Sequence, residues 1–510
     1  MTPQTHPLLE MRGIVKRFGA GVLANDHIDF VVVQGEVHAL LGENGAGKST
    51  LMQILYGMYQ RDAGDIYVDG LPVDISSVSQ AVAHGIGMVH QEFMLVEPFN
   101  VLENVVLGQG RVALAPARAR LLALSAEFGL DVSPDVRVED LTIGQRQRVE
   151  ILKLLFRGAR LLVLDEPTAV LTPTEVNGLF EVLRKLVARG CSVVIVTHKL
   201  QEIRALADRV TVLRQGRVVA AGLCVDETDE ATMARAMVGR DVLLTVDLPP
   251  MARGEAVLEV RDLCVASGQG IALVNGVSLD VRAGEVLAIA GVDGNGQSPF
   301  AEAVMGLRPA QGRVSVCGQR VDELSPGARR GAGMGYLPAD RRGVGRVMEL
   351  SLEANGLLGQ QGEFTRARYW LSARRVAAHA EQLIQRFKVR ASSAQQLAGS
   401  LSGGNLQKLL LGREFSRQPR FLLLEQPTRG LDVGAIESVW GEILEQRKAG
   451  AAILLISAEL EEVFNLADRI AVMYQGRIMG VLDRASATME LVGQMMGGQD
   501  VLGTVAEQTP

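Results

Sequence analysis

The chain has 510 residues, 47% of them hydrophobic, with 52 basic and 58 acidic side chains and a formal net charge of −6. That length favours more than one domain, the apolar fraction excludes a disordered chain, and the acidic balance argues against a sequence-independent nucleic-acid binder, which needs a basic face. Cys191, Cys224, Cys264 and Cys317 form no CxxC pair and no cluster with histidine, so they read as reduced thiols. The opening MTPQTHPLLEMRG lacks the apolar core of a secretory signal, and no run reaches the ~18 apolar residues of a membrane helix. The chain is expected to be soluble by itself, with any membrane role carried by partners.

Strand-like apolar runs alternate with helical patterns throughout, which predicts parallel α/β units. The first informative stretch is GENGAGKST, Gly42 to Thr50, between the strand-like EVHALL and the helix-like TLMQILYGM. It matches GxxxxGK[ST] in the context that makes it a phosphate-binding loop. The backbone over Gly42, Asn44, Gly45, Gly47 and Thr50 is expected to cradle phosphates, with Lys48 reaching the β/γ-phosphates and Ser49 binding Mg2+. Gln91, in MVHQEF, taken alone is an ordinary loop amide. Glu92 to Phe99, EFMLVEPF, carries an apolar face that suits docking and core packing equally. LLVLDEPTAV, Leu161 to Val170, reads as a buried strand ending in Asp165-Glu166. Asp165 there can hold the hydration shell of Mg2+, and Glu166 can act as general base on an attacking water. The same pair could also cap a helix. His198, in VTHKL, closes a further strand and is placed to sense a γ-phosphate, although a lone histidine is more often structural.

The pattern then repeats. Leu161 and Phe421 open matching runs 260 residues apart, as do Leu141 and Leu401, whereas Gly35 and Gly284 are 249 apart, so the second copy carries an insertion of eleven residues. The reading is a first domain over 1–246, a linker over 247–255 where Pro-Pro and Gly punctuate the pattern, a second domain over 256–500, and a loose tail over 501–510. In the second copy the loop GVDGNGQSP keeps Gly291, Gly294, Gly296 and Ser298 but has Gln297 in place of the lysine. Ala339 stands at the position of Gln91, Glu425-Gln426 at that of Asp165-Glu166, and Ala458 at that of His198. LSGGN, Leu401 to Asn405, offers Ser402 as the N-cap of a following helix, and such a terminus is also an anion site.

Together these motifs resemble the nucleotide-binding subunits of ABC transporters over about residues 8–500, with LSGGN similar to that family's signature. The resemblance implies an α/β fold of two tandem ABC-type nucleotide-binding domains. Each would have a phosphate-loop α/β core, a β subdomain and a helical subdomain, and the two would pair head-to-tail. It implies ATP and Mg2+ as cofactors, Phe18 as the aromatic on adenine, Gln91 as the Q-loop glutamine that also reaches the metal, and His198 as the switch histidine. Ser402, Gly403 and Gly404 would contact the γ-phosphate of ATP held by the opposite half. Sorted in this way, one composite site takes Lys48, Ser49, Gln91, Asp165, Glu166 and His198 with LSGGN and the Asp432 loop, and nothing chemical is missing. The other collects Gln297, Ala339, Gln426, Ala458, the first-half Thr142-Ile143, and a segment near Val265 without an aromatic. The implied arrangement is one hydrolytic and one degenerate site. Thr172, where the second half has Asp432, is a further asymmetry whose effect has no physical derivation.

Two fused ATPase halves with TRGLDVGA look like the importer ATPases for sugars and nucleosides. In the ribose and galactose type the second half usually keeps Asp-Glu before Pro-Thr. In the branch for purine and other nucleosides, which works with basic-membrane-protein-type binding lipoproteins, that pair is commonly lost and Gln precedes PTRGLDVGA. GVDGNGQS and GIGMVHQEFMLV look like the nucleoside branch, while Glu425 and the segment 92–98 depart from it. The resemblance thus implies a peripheral motor at the cytoplasmic face of the plasma (inner) membrane. It would work with two integral membrane permease subunits and an extracytoplasmic substrate-binding lipoprotein, and with no nucleic acid. Import of a monosaccharide such as ribose or galactose is the alternative. Tandem ABC proteins that act on ribosomes or DNA are the rival class, but they would show basic arms or a long charged linker. A protein that binds ATP without turning it over is a third reading, opposed by intact Lys48, Glu166 and His198.

Overall fold

The computed structural model describes residues 7–19, 21–91, 93–168, 171, 173–240, 246, 248, 254–340, 343–366, 370–401, 403–431 and 433–499. Its contacts divide the chain into two units, Met1–Val242 and Leu243–Pro510. Most of the expected linker, the tail, Glu92, Thr172, Ser402 and Asp432 lie outside the described residues. Val246 and Leu248 pack against the core of the second unit.

In the first unit, Val22–Val33, Pro7–Phe18, Ala63–Val68 and Leu71–Val73 form a four-stranded antiparallel sheet in that order. Alternation explains it: Ile28, Phe30 and Val32 are buried while Val31 between them is exposed. The second sheet runs Arg217–Cys224, Arg209–Arg214, Val37–Gly42, Ser192–Thr197, Leu161–Asp165, Ile86–Val89. All its pairings are parallel except the first. Here the strands are apolar without alternation, because both faces are covered. Helix Lys48–Leu55 buries Leu51 and Met52 in one core with Phe30, Leu40, Val163 and Val194. Each such side chain contributes roughly 1.5–3 kcal/mol on burial. A helical part contains Val101–Val106, Leu114–Phe128 and Ile143–Phe156.

The second unit repeats this plan. Ala272–Arg282, Ala256–Ala266, Gln311–Val316 and Gln319–Arg320 make the antiparallel sheet. The core sheet runs Met334–Leu337, Phe421–Glu425, Ala452–Ser457, Val286–Ala290, Arg469–Tyr474, Arg477–Asp483, parallel except at the last strand. Its helical part contains Leu352–Leu357, Ala373–Arg386 and Gly403–Phe415. Most of the inserted length falls between the first two of these helices, as a 3-10 turn at Gln361–Phe364 and a ribbon of Thr365–Arg366 with Trp370–Leu371. Among the described residues, no helix is long and apolar enough to cross a membrane.

Each unit thus has the α/β core, β part and helical part that the resemblance implied. Parallel strands all end at one edge of the sheet, and ligands of open α/β sheets bind outside that edge. Gly42, Val89, Asp165 and Thr197 are all strand ends there. The loops bearing Lys48, Gln91, Glu166 and His198 therefore leave the sheet side by side.

Candidate nucleotide site

The first-half loop is shaped by its glycines. Gly47 sits at φ 101, and a Cβ there would lie 2.3 Å from the Ala24 carbonyl oxygen. A Cβ on Gly42 would lie 2.4 Å from that of Leu213. Fully buried Asn25 donates from Nδ2 to the Gly47 carbonyl at 3.1 Å and pins the turn. Helix Lys48–Leu55 begins without a side-chain cap, so its first-turn N–H groups are suited to an anion. Lys48 is buried and donates from Nζ to the carbonyls of Gly42 at 2.7 Å and Glu43 at 3.0 Å. Burial holds its pKa below the ordinary value, opposed by Glu166 and Asp165.

Ser49 and Asp165 meet across the loop, Oγ to Oδ1 at 3.5 Å. Burial pushes the Asp165 carboxyl up, against the pull of Ser49. These hard oxygen donors fit Mg2+, which uses one or two protein oxygens beside phosphates and waters.

Glu166 follows at φ 47, in the left-handed region that a residue with a side chain rarely adopts. Its N–H donates to the Val196 carbonyl at 2.9 Å, which fixes the turn against the next strand. Two groups approach its carboxylate: Gln91 Nε2 at 3.1 Å from Oε2 and His198 Nδ1 at 3.1 Å from Oε1. His198 leads in holding the Glu166 pKa below the usual value, so the group is an anion near neutrality. Behind it, Thr168 and Thr197 both donate to buried Glu202, bracing the two loops. Gln147 donates to the Pro167 carbonyl at 2.7 Å and ties helix Ile143–Phe156 to the same turn. A held carboxylate, a buried lysine and a Ser–Asp pair are the parts that phosphoryl transfer uses.

Other expected positions are more scattered. Phe18 is half-buried, edge-on to Tyr59 at 5.2 Å with Lys16 Nζ 5.4 Å from its ring centre. Gly403 and Gly404 open helix Gly403–Phe415, Gly403 exposed, whereas Thr142 caps the matching first-half helix through a reciprocal box with Gln145.

The second-half loop has the same backbone, with Gly294 at φ 92, Gly296 at φ 101 and Gln426 at φ 47. Its side chains differ. Gln297 Nε2 donates to the Val292 carbonyl at 2.9 Å, much as Lys48 does in the first half, but without charge. Glu425 accepts from Ser298 at 2.7 Å and from Tyr336 at 2.6 Å. Gln426 donates to Asp293 at 3.2 Å, and Arg429 donates to the same carboxylate at 2.7 Å. The Ala458 N–H is 3.5 Å from Gln426 Oε1, so backbone stands where the first half has an imidazole.

Sequence reasoning missed Asn25, Tyr336 and the Asp293–Arg429 pair. For Tyr336 a signal existed: it matches Met88 in the repeat, and a phenol in a buried strand needs an acceptor. Asn25 gave none, because only the fold brings it to Gly47.

A family model for ABC transporters matches residues 25–169 and 274–429. The chain is 42% identical over 501 residues to the nucleoside import ATP-binding protein NupA of Lactococcus lactis, covering 97% of this chain and 99% of that one. It is 44% identical to the guanosine import ATP-binding protein NupO of Bacillus subtilis, over 96% and 97% of the two chains. It is 43% identical to the glucose import ATP-binding protein TsgD13 of Haloferax volcanii, over 98% of each. Among solved structures, the archaeal ribosome recycling factor aABCE1, in complex with the ribosomal stalk protein aP1, matches with a TM-score of 0.62 at 18% identity. That match covers 95% of this chain and 92% of that one, and it speaks to the fold alone. With the phosphate loop and Asp165-Glu166 inside the first matched segment and their counterparts, residues 291–299 and Glu425-Gln426, inside the second, the chain belongs to the ABC transporter family, as a tandem ATP-binding subunit and an ATPase coupled to transport.

Proposed function

We propose that the chain is the motor of a nucleoside importer and that it hydrolyses ATP at the first-half loop. The observation that carries this reading is the convergence of Gln91 and His198 on Glu166, each at 3.1 Å. Lys48 and the loop N–H groups bind the phosphates, and Phe18 lies under adenine. Glu166 takes the proton of the attacking water, and His198 keeps its carboxylate anionic and aimed. Mg2+, held by Ser49, Asp165 and Gln91, would neutralise charge on the β- and γ-phosphates. In the second half Gln426 cannot accept a proton, so Gly291, Gly294, Gly296, Gln297, Ser298 and Glu425 line a degenerate site.

The nucleoside assignment rests on relatives named for nucleoside and guanosine import. Relatives named for glucose and ribose import favour a monosaccharide as the second reading. Two membrane permeases are the proposed direct partners, with an extracytoplasmic binding lipoprotein acting through them, at the cytoplasmic face of the membrane. Support comes from apolar residues exposed after equivalent strands in the two halves, Met94 and Phe99 in the first, Val344 and Leu350 in the second.

The test is uptake of labelled purine nucleosides, beside ribose and galactose, in cells carrying wild-type protein or Glu166→Gln. Loss of nucleoside uptake alone is expected. Loss of sugar uptake instead would move the assignment to the second reading, and no loss of either would show that the substrate is something else or that the chain does not serve a transporter.

A further inference from the structure

The two loops share their backbone, but they differ at the oxygen pair that meets a divalent cation. In the first half Asp165 Oδ1 and Ser49 Oγ lie 3.5 Å apart, at the limit of a hydrogen bond. In the second half Glu425 reaches one methylene further and closes the gap, accepting from Ser298 Oγ at 2.7 Å on Oε2. Its other oxygen accepts from Tyr336 at 2.6 Å, and the Ala339 N–H adds a third donor. Tyr336 and Met88 occupy the same register position, beside Leu423 and Val163 respectively, so the first half has no phenol at this point.

A cation at the second loop would need the Glu425 carboxylate to turn toward its hydration shell. Tyr336 is buried and would then lose its acceptor, and a buried hydroxyl left unpaired is destabilising. Mg2+ demands near-ideal octahedral geometry and gives up water reluctantly, so it fits poorly where protein donors already hold the carboxylate. The residues therefore do not fit the metal that the family implies. We infer that the second-half loop excludes a divalent cation, with Tyr336 and Glu425 as the excluding residues, and that any nucleotide phosphate there is met by backbone N–H groups, Gln297 and Ser298 alone. This inference rests on the reading of the second half as the degenerate one.

The experiment counts Mn2+ bound per full-length chain by electron paramagnetic resonance, at saturating non-hydrolysable ATP analogue. One Mn2+ per chain is expected for the wild type and none for Ser49→Ala. The double substitution Tyr336→Met with Glu425→Asp installs the first-half residues and is expected to raise the count to two. Glu425→Asp alone, the gentler change, should give a value between one and two, and the first-half Mn2+ reports that either variant is folded. A wild-type count of two overturns the inference, and so does a folded double variant that stays at one. Hydrolysis in Glu166→Gln is measured beside it. If the wild type binds two Mn2+ while that variant is inactive, the inference falls and the functional reading stands. If that variant still hydrolyses ATP, the functional reading falls instead.

Discussion

Glu166 is aimed by a backbone that few residues tolerate. A non-glycine φ of 47 costs on the order of 1–3 kcal/mol, and the Val196 hydrogen bond at 2.9 Å holds it there. Gln426 has the same φ, so the turn has been kept where the carboxylate has not. Replacing Glu166 by Gln keeps the shape and removes only the carboxylate that the proposed function makes the proton acceptor. ATPase activity is expected to fall by roughly 10²–10⁴-fold with ATP affinity and melting temperature close to wild type. Steady-state hydrolysis and an ATP titration check this, and activity within about tenfold of wild type would contradict the role of Glu166. A second carboxyl sets a pH dependence of stability. Glu462 is buried, accepts from Thr428 at 2.7 Å, and is pushed by burial from its ordinary 4.5 up to about 7. Its folded-state pKa is raised, so the folded state holds the proton more tightly. The stabilisation is full below about pH 4.5 and is lost as pH rises through 7, roughly 3 kcal/mol in all. Glu462→Gln cannot titrate, so melting between pH 5 and 8 should flatten by several degrees relative to wild type. An unchanged pH profile would place the titration elsewhere.

At the scale of elements, the phosphate loop is a strand, a tight turn and a helix that fit only if certain positions have no side chain. Gly42 and Gly45 separate two reasons for glycine. A Cβ on Gly42 would strike the Leu213 carbonyl at 2.4 Å, backbone that cannot step aside, whereas a Cβ on Gly45 meets open space and is opposed only by φ 81. Gly42→Ala should therefore cost about 1–3 kcal/mol, lower the melting temperature by several degrees and weaken ATP binding. Gly45→Ala should cost about 1 kcal/mol. Thermal melts of the two variants decide, and the reverse order would contradict this account of the turn. These elements were legible in the sequence because their signals are local: GENGAGKST lies between strand Val37–Gly42 and helix Lys48–Leu55, and Asp165 and Glu425 end buried strands as their apolar runs predicted. The contacts among them were less legible. Gln91 and Glu166 are 75 residues apart, and their hydrogen bond depends on neighbouring parallel strands ending at one edge. For Tyr336 the repeat signalled a buried phenol but not its acceptor, since its partner Glu425 is 89 residues away.

At the scale of the whole molecule, the two halves keep one fold plan, and on the proposed function only the first carries a full set of reacting groups. The second copy has Gln297, Gln426, Ala339 and Ala458 where the first has Lys48, Glu166, Gln91 and His198, yet its strands, turns and glycine conformations match. Stability selects for the core and turns, whereas turnover selects for a few side chains at strand ends, so the two can part. The reacting groups also depend on one another. Glu166 is anionic and oriented because His198 and Gln91 touch it, and a carboxylate at 426 would face Asp293 at the distance where Gln426 now donates at 3.2 Å. Two carboxylates there would repel, and one would be driven to hold a proton. Gln426→Glu alone, placed in the Glu166→Gln background, is therefore expected to restore less than about a tenth of wild-type ATPase activity, because lysine and histidine are still absent and Asp293 opposes the new charge. Adding Gln297→Lys and Ala458→His would supply the missing partners and should raise activity above that of the single change. A single change that recovered wild-type turnover would show that the base was the only defect, and that the remaining substitutions in the second half carry no functional weight.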